Sequence, residues 1–318
     1  MDLLEKAKDN SRQKQLNDAP IYIKFISLLS VVRGYNIMVI VIAQYLAAIF
    51  IFAPKLPLKA VILDVELYFI VLASTCVIAS GYIINNFYDV KKDLINRPEK
   101  HKLDSIVSQK RKLQLYFLLN FLGTLFGFLV SWRAALFFSV YIFGIWFYSH
   151  KLNKYPLIGL FSAVVLTILP FFAVFVYYKN FSTIIFTHAS FLFFILTIRE
   201  LIKDLENIKG DVVQNYLTIP IKYGEHFTKI LITIIVFLTL DPIYFLWKYP
   251  EIGAMKFYFY FAGLVLSIFT VKLWMGKTYK NYIQLHILLK VLIVFGVFSL
   301  ALIDTSVIIK RLINPLIN

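Results

Sequence analysis

The sequence predicts an all-α polytopic membrane protein with nine transmembrane helices. Two observations predict it. Hydrophobic residues make up 60% of the 318 and charged residues only 16%, against about 25% charged in an ordinary soluble domain. The apolar residues also fall into runs long enough to span a bilayer, which takes about 20 residues per helix. With a mean hydropathy of +0.75, a water-soluble enzyme and a disordered chain are both excluded.

Residues 1–24 are polar and mixed in charge, lack the apolar core of a signal peptide, and read as a cytoplasmic tail. The apolar runs then lie near 26–52, 62–88, 113–131, 134–148, 157–177, 182–202, 228–247, 256–275 and 285–308. The fourth is short. Residues 25–310 form one intramembrane domain, and 311–318 a short tail. The single cysteine, Cys76, sits inside an apolar run, so an intrachain disulfide and a cysteine zinc site are excluded.

The formal net charge is +15. Its placement orients the chain. With the N-terminus inside, 23 Lys and Arg fall in cytoplasmic segments, 8 outside, and Arg33 and Lys290 within apolar runs. Topology and anionic lipid headgroups therefore account for most of the excess, and nucleic acid is not a partner. The protein is expected in a bacterial or archaeal cell inner membrane, N-terminus cytoplasmic and C-terminus outside. No obligate protein partner is evident.

Two long connections, 89–112 and 203–227, fall on the cytoplasmic side and carry acidic residues that topology does not demand. In the first, Asn85, Asp89 and Asp93 recur every four residues. On a helix that spacing places one amide and two carboxylates in a row, about 6 Å apart. In the second, Glu200, Asp204, Asn207 and Asp211 fall within about 60° of one another at 100° per residue. Like-charged carboxylates repel unless a cation lies between them. Mg²⁺ takes a few protein oxygens and shares its shell with water and phosphate, so two such stripes point to a metal–polyphosphate site. Arg97, Lys100 and Lys102 follow the first stripe and Lys203 and Lys222 flank the second, with the chemistry to bind phosphate. Lys110, Arg111 and Lys112 read as plain positive-inside residues. Arg33, with Asn36 one turn on, lies within an apolar run and is a functional candidate by position.

Asn85-x₃-Asp89-x₃-Asp93 followed by Asn96-Arg97-Pro98 resembles the first signature of the UbiA superfamily of intramembrane prenyltransferases. Arg199-Glu200-x₂-Lys203-Asp204-x-Glu206-Asn207-x₂-Gly210-Asp211, with Thr218-Ile219-Pro220 and Gly224, resembles the second. The likeness is nearest to the digeranylgeranylglyceryl phosphate synthase branch, which Arg33-x₂-Asn36 and Tyr148-Ser149-His150-Lys151 also fit. It covers roughly residues 28–305. Two positions depart from the branch: Asn207 stands where it usually has Asp, and Leu160 follows Gly159 where it often has Asn.

The resemblance implies nine helices around a central cavity with the two acidic motifs facing each other at its cytoplasmic mouth. It implies Mg²⁺ held by Asn85, Asp89, Asp93, Asp204, Asn207 and Asp211. It also implies transfer of a polyprenyl group, geranylgeranyl by this branch, from its diphosphate to a lipophilic acceptor such as a prenylglyceryl phosphate, with release of pyrophosphate. Asn85, Asp89, Asp93, Asp204 and Asp211 are then catalytic. Arg33, Asn36, Tyr88, Arg97, Lys100, Lys102, Tyr148, Lys151, Lys203 and Asn207 are expected to bind substrate. The alternative acceptor is an aromatic ring, as in quinone or haem O biosynthesis. The alternative from another class is a multi-pass transporter, against which the gathering of acids at one mouth argues.

Overall fold

The computed structural model describes residues 20–276 and 278–304, so residues 1–19 of the expected N-terminal tail, the end of the ninth run at 305–308 and the C-terminal tail lie outside it. The described residues are helical throughout, with no strand. In chain order the helices are α1 (Ile21–Val31), α2 (Gly34–Ala47, continued by a π turn Ala48–Phe52), α3 (Leu58–Ile62), α4 (Val65–Tyr88), α5 (Val90–Asn96), α6 (Pro98–Asp104) and α7 (Gln109–Val130). They continue with α8 (Trp132–His150), α9 (Pro156–Tyr178), α10 (Thr183–Val213), α11 (Ile219–Tyr223), α12 (Glu225–Lys248), α13 (Lys256–Met275) and α14 (Tyr279–Ser299).

Among the described residues eight helices are long and apolar enough to cross a membrane. The ninth expected span is α8, 19 residues rich in Trp, Tyr and Ser and therefore less apolar. Only Ser131 separates it from α7: its extended backbone (φ −171°, ψ 160°) ends one helix, and its hydroxyl caps the next by accepting from the Ala134 N–H at 3.1 Å. Large apolar side chains such as Phe117, Phe121, Phe128, Phe161 and Phe237 point outward, each more than 60% exposed. That belt belongs against lipid.

Three expectations need correction. The run at 26–52 is not one helix. Arg33 adopts a left-handed conformation (φ 50°, ψ 53°), which breaks it into α1 and α2. The sixth run does not end at 202, because α10 continues eleven residues further and carries the second acidic stripe on that extension. Lys112 is not a solvated lysine. It is buried at 3% exposure and donates to Asn86 Oδ1 at 2.8 Å, while Asn86 Nδ2 donates to Asp104 Oδ2 at 2.9 Å. Ser30 donates to Asp104 Oδ1 at 2.6 Å and Ser27 to the Leu103 carbonyl at 2.7 Å. This network ties α1 and α6 to the end of the bundle.

α4 is the central helix, with most of its residues buried. It is capped by Asp64, which accepts from the N–H groups of Glu66 and Leu67 at 3.1 and 3.2 Å and from the Tyr177 hydroxyl at 2.9 Å. α7 packs closely on it at Gly123, where an added Cβ would lie 2.8 Å from a Val77 methyl. Pro170 inside α9 has no N–H to give the Leu166 carbonyl four residues back, and the buried Tyr141 hydroxyl supplies that bond at 2.9 Å. The Pro170 carbonyl in turn accepts from the fully buried Gln44 at 2.9 Å.

Candidate active site

α4 ends at Asp89, whose backbone (φ −91°, ψ 15°) bends the chain into α5. The helical bonding survives the bend. The N–H groups of Asp89, Asp93 and Arg97 donate to the carbonyls of Asn85, Asp89 and Asp93 at 2.8–2.9 Å. The four-residue series therefore keeps its line past the end of α4.

α5 lies against the C-terminal part of α10. The Asn96 amide donates to the Asn207 carbonyl at 3.3 Å and accepts from the Gly210 N–H at 3.2 Å. Gly210 permits this approach: a Cβ there would lie 2.3 Å from Asn96 Nδ2 and 2.9 Å from the Lys92 carbonyl oxygen. Beyond α10, Gln214 donates to the Tyr88 carbonyl at 3.0 Å. The two motifs, more than 110 residues apart in sequence, thus close on each other at one end of the bundle.

The side chains fall into two groups. Some are held by neighbours. The buried Ser149 hydroxyl donates to Asn85 Oδ1 at 2.6 Å. The buried Tyr216 hydroxyl donates to Asp89 Oδ1 at 3.0 Å and accepts from Asn153 at 3.3 Å. Burial, then the Asp89 carboxylate, pushes the Tyr216 hydroxyl well above its ordinary pKa, so it remains a donor. Others lack a well-aligned hydrogen bond. The carboxylates of Asp93 and Asp204 make no hydrogen bond or ion pair with the described residues. Asp211 is fully buried, and neither of its oxygens receives a well-aligned hydrogen bond.

One cation facing Asp211, Asp89 and Asp204 belongs to the first motif. Lys92 forms an ion pair with Asp211 and lies 5.4 Å over the Tyr216 ring. Burial alone would depress the Lys92 ammonium, but the carboxylates of Asp211, Asp89 and Asp204 outweigh it and raise its pKa. Lys203 pairs with Glu200 one turn away. Glu200 and Asp204 line a small cavity with Tyr148, Asn153, Gly159, Leu160 and Thr218.

The other expected residues divide. Arg97 reaches Glu206 at 3.3 Å, Arg33 stacks on the Tyr82 ring at 5.0 Å, and Asn36 donates to the Tyr82 hydroxyl at 3.4 Å. They stand beside the stripes rather than in them. Lys100 is engaged by Asp104 and Lys102 by the exposed Glu99 at 2.8 Å. Lys151 is exposed, and Tyr88 is 3.1 Å from His150 Nδ1. The Asn207 side chain is buried, with its backbone carbonyl taken by Asn96. Sequence reasoning missed Lys92, Ser149 and Tyr216 as members of the site. Lys92 carried one available signal, its place one residue before Asp93.

The donor set suits Mg²⁺. Among the described residues no three acidic or histidine side chains converge tightly enough to enclose an ion by themselves. Asp93, Asp204 and Asp211 nonetheless offer oxygens without well-aligned donors, and Mg²⁺ completes its shell with water and phosphate.

A model of the UbiA prenyltransferase family matches residues 41–284. The digeranylgeranylglyceryl phosphate synthase of Methanobrevibacter smithii is 30% identical over 215 residues, 64% of this chain and 71% of that protein. The synthase of the same name from Pyrococcus horikoshii is 28% identical over 218 residues, 67% of this chain and 75% of that one. Among solved structures, one from a study of digeranylgeranylglyceryl phosphate synthase in membranes superposes with a TM-score of 0.65 at 17% identity, covering 87% of this chain and 97% of the other. A UbiA homologue from Archaeoglobus fulgidus, bound to GPP and Mg²⁺, superposes with a TM-score of 0.62 at 12% identity, covering 86% and 99%. With two acidic motifs closed on each other at one end of an apolar helical bundle, the chain belongs to the UbiA prenyltransferase family and is an integral-membrane prenyltransferase.

Proposed function

We propose that the protein transfers a polyprenyl group, geranylgeranyl by likeness to the named relatives, from its diphosphate to the free hydroxyl of a prenylglyceryl phosphate, releasing pyrophosphate in an Mg²⁺-dependent reaction. The observation that carries this reading is the gathering of Asp89, Asp204 and Asp211, from both motifs, about the Lys92 ammonium at the end of the bundle, with Lys203 beside Asp204 and Asp211. By the placement of Lys and Arg, that end faces the cytoplasm. The names of the relatives support the glycerophosphate acceptor over an aromatic ring.

Asp93, Asp204 and Asp211 would hold the metal, with Asp89 and Asn85 beside them. Bound Mg²⁺ supplies the positive charge that makes diphosphate a good leaving group. The protein's own part is positioning. Tyr216 and Ser149 fix Asp89 and Asn85, so those groups need no reorganisation as charge develops. Lys92, beside Asp211, and Lys203, beside Glu200, are the ammonium groups of the two motifs that would meet phosphate oxygens. In the transfer, the bond between the prenyl C1 and the diphosphate oxygen breaks with its electron pair leaving on diphosphate. The acceptor hydroxyl oxygen bonds to C1, and its proton passes to the released pyrophosphate. The apolar bundle excludes water from the allylic cation, which would otherwise be hydrolysed.

The test is an acceptor screen with protein in lipid nanodiscs, Mg²⁺ and geranylgeranyl diphosphate. Geranylgeranylglyceryl phosphate is the expected acceptor. Faster transfer to naphthoate, hydroxybenzoate or haem B would move the protein to the aromatic branch.

A further inference from the structure

α10 presents a second charged face. At 100° per residue, Arg199 and Glu206 lie about 120–140° around the helix from the centre of the stripe of Glu200, Asp204 and Asp211. That face meets α14 and α5, and α14 in turn packs on α2, which begins beside Arg33. Glu206, 8% exposed, is bound on one oxygen by Arg97 at 3.3 Å and on the other by His286 Nδ1. One turn along α14 from His286 stands Lys290, within electrostatic reach of Arg33, Arg97 and Arg199 as well as of Glu206.

The charges do not balance. Arg33, Arg97, Arg199 and Lys290 carry four positive charges; Glu206, already engaged twice, carries one negative, and Glu200, beside Arg199, is already paired with Lys203. Among the described residues Arg33, Arg199 and Lys290 have no ion-pair partner. Arg199 Nε is buried with nothing to donate to, and Nε2 of His286, itself only 4% exposed, is buried without a partner. Arg33 is held at positive φ, a conformation that costs energy unless its surroundings impose it. Unpaired cations on helices that span a membrane are costly, and an anion compensates them.

We propose that Arg33, Arg97, Arg199 and Lys290 form a second anion site, on the far flank of α10 from the carboxylates, that receives the phosphomonoester of the acceptor lipid. The inference rests on the phosphorylated acceptor proposed above. It names where the phosphate sits. A phosphomonoester carries about −1.5 to −2 at neutral pH, which offsets half or more of the three excess positive charges. Arginine offers paired N–H donors of fixed geometry to phosphate oxygens. The one carboxylate on this flank is engaged, so the site takes its anion through N–H donors without a metal, unlike the diphosphate site. α10 thus separates two phosphates that must approach without sharing a subsite.

The test is binding of geranylgeranylglyceryl phosphate to the full-length protein in nanodiscs, by thermophoresis in EDTA. The unphosphorylated geranylgeranylglycerol is the control. Wild type is expected to prefer the phosphorylated lipid. Lys290→Gln, at an exposed position, and Arg199→Gln should each weaken its binding about tenfold or more, with Arg199→Lys recovering part of the loss. Equal affinity in wild type and both Gln variants, or binding that EDTA abolishes, overturns the proposal. Inorganic phosphate displacing the lipid at equal concentration makes this a free-anion site and overturns the lipid assignment. Lys290-dependent binding without transfer to the phosphorylated lipid upholds the site and refutes the acceptor reading instead.

Discussion

Lys92 on α5 lies against Asp211 on α10, so a cation carried by the first motif neutralises a fully buried carboxylate of the second. The pair does two things. It holds the motifs together without ligand, and under the proposed metal assignment it competes with a divalent ion for Asp211.

Lys92→Met should expose that competition. Removing one partner of a buried ion pair costs about 3–5 kcal/mol, because the other is left uncompensated. The variant is expected to unfold at lower temperature than wild type in EDTA. It should gain more from added Mg²⁺, which takes over the charge of Asp211. Thermal unfolding in detergent with and without Mg²⁺ measures both, and an Mg²⁺ shift equal to that of wild type would contradict the competition.

Tyr216→Phe removes the hydroxyl that fixes Asp89 and leaves the ring under Lys92. A hydrogen bond to a charged group contributes about 1.5–3 kcal/mol, so kcat/KM for the prenyl diphosphate should fall about tenfold or more. The same variant should need more Mg²⁺ for half-maximal rate. An unchanged Mg²⁺ dependence would show that Asp89 keeps its position without Tyr216.

Gly210→Ala places a methyl into Asn96 and the Lys92 backbone, which forces α5 away from α10. Overpacking of this kind costs about 1–3 kcal/mol, and here the strain falls on the site. Activity is expected to drop at least tenfold, with the helix content by circular dichroism unchanged. Wild-type activity would mean that the two motifs need not touch.

Tyr141→Phe tests the fold rather than the chemistry. It strands the Leu166 carbonyl freed by Pro170, at a cost of about 1–3 kcal/mol. A lower unfolding temperature with near-normal KM for both substrates is expected. No loss of stability would show that another donor reaches that carbonyl.

What the sequence displays follows from the range of the interactions. Asn85, Asp89 and Asp93, like Glu200, Asp204 and Asp211, are spaced by turns of a helix, and that periodicity is visible in a string of letters. The helix even outlasts the apolar run. Leu201, Leu205 and Ile208 keep one face of α10 and the acidic stripe another, so the helical period is legible past residue 202 even though hydropathy falls away there. The contacts of Ser149 with Asn85, Tyr216 with Asp89 and Lys92 with Asp211 join residues 64 to 127 positions apart, and no local spacing encodes them. The break at Arg33 was hidden for a different reason. Apolar residues continue on both sides, and only the backbone of one arginine departs from the helix.

In the proposed reaction the carboxylates beside Lys92 drive metal-dependent prenyl transfer. Pyrophosphate release tests it most directly, with geranylgeranyl diphosphate and geranylgeranylglyceryl phosphate as substrates, for wild type, Asp89→Ala and Asp204→Ala across an Mg²⁺ titration. The account predicts acceptor-dependent release by wild type that EDTA abolishes, and loss of at least 99% of it, about 2.7 kcal/mol or more, in either variant. Full turnover in both variants, or in EDTA, would contradict it.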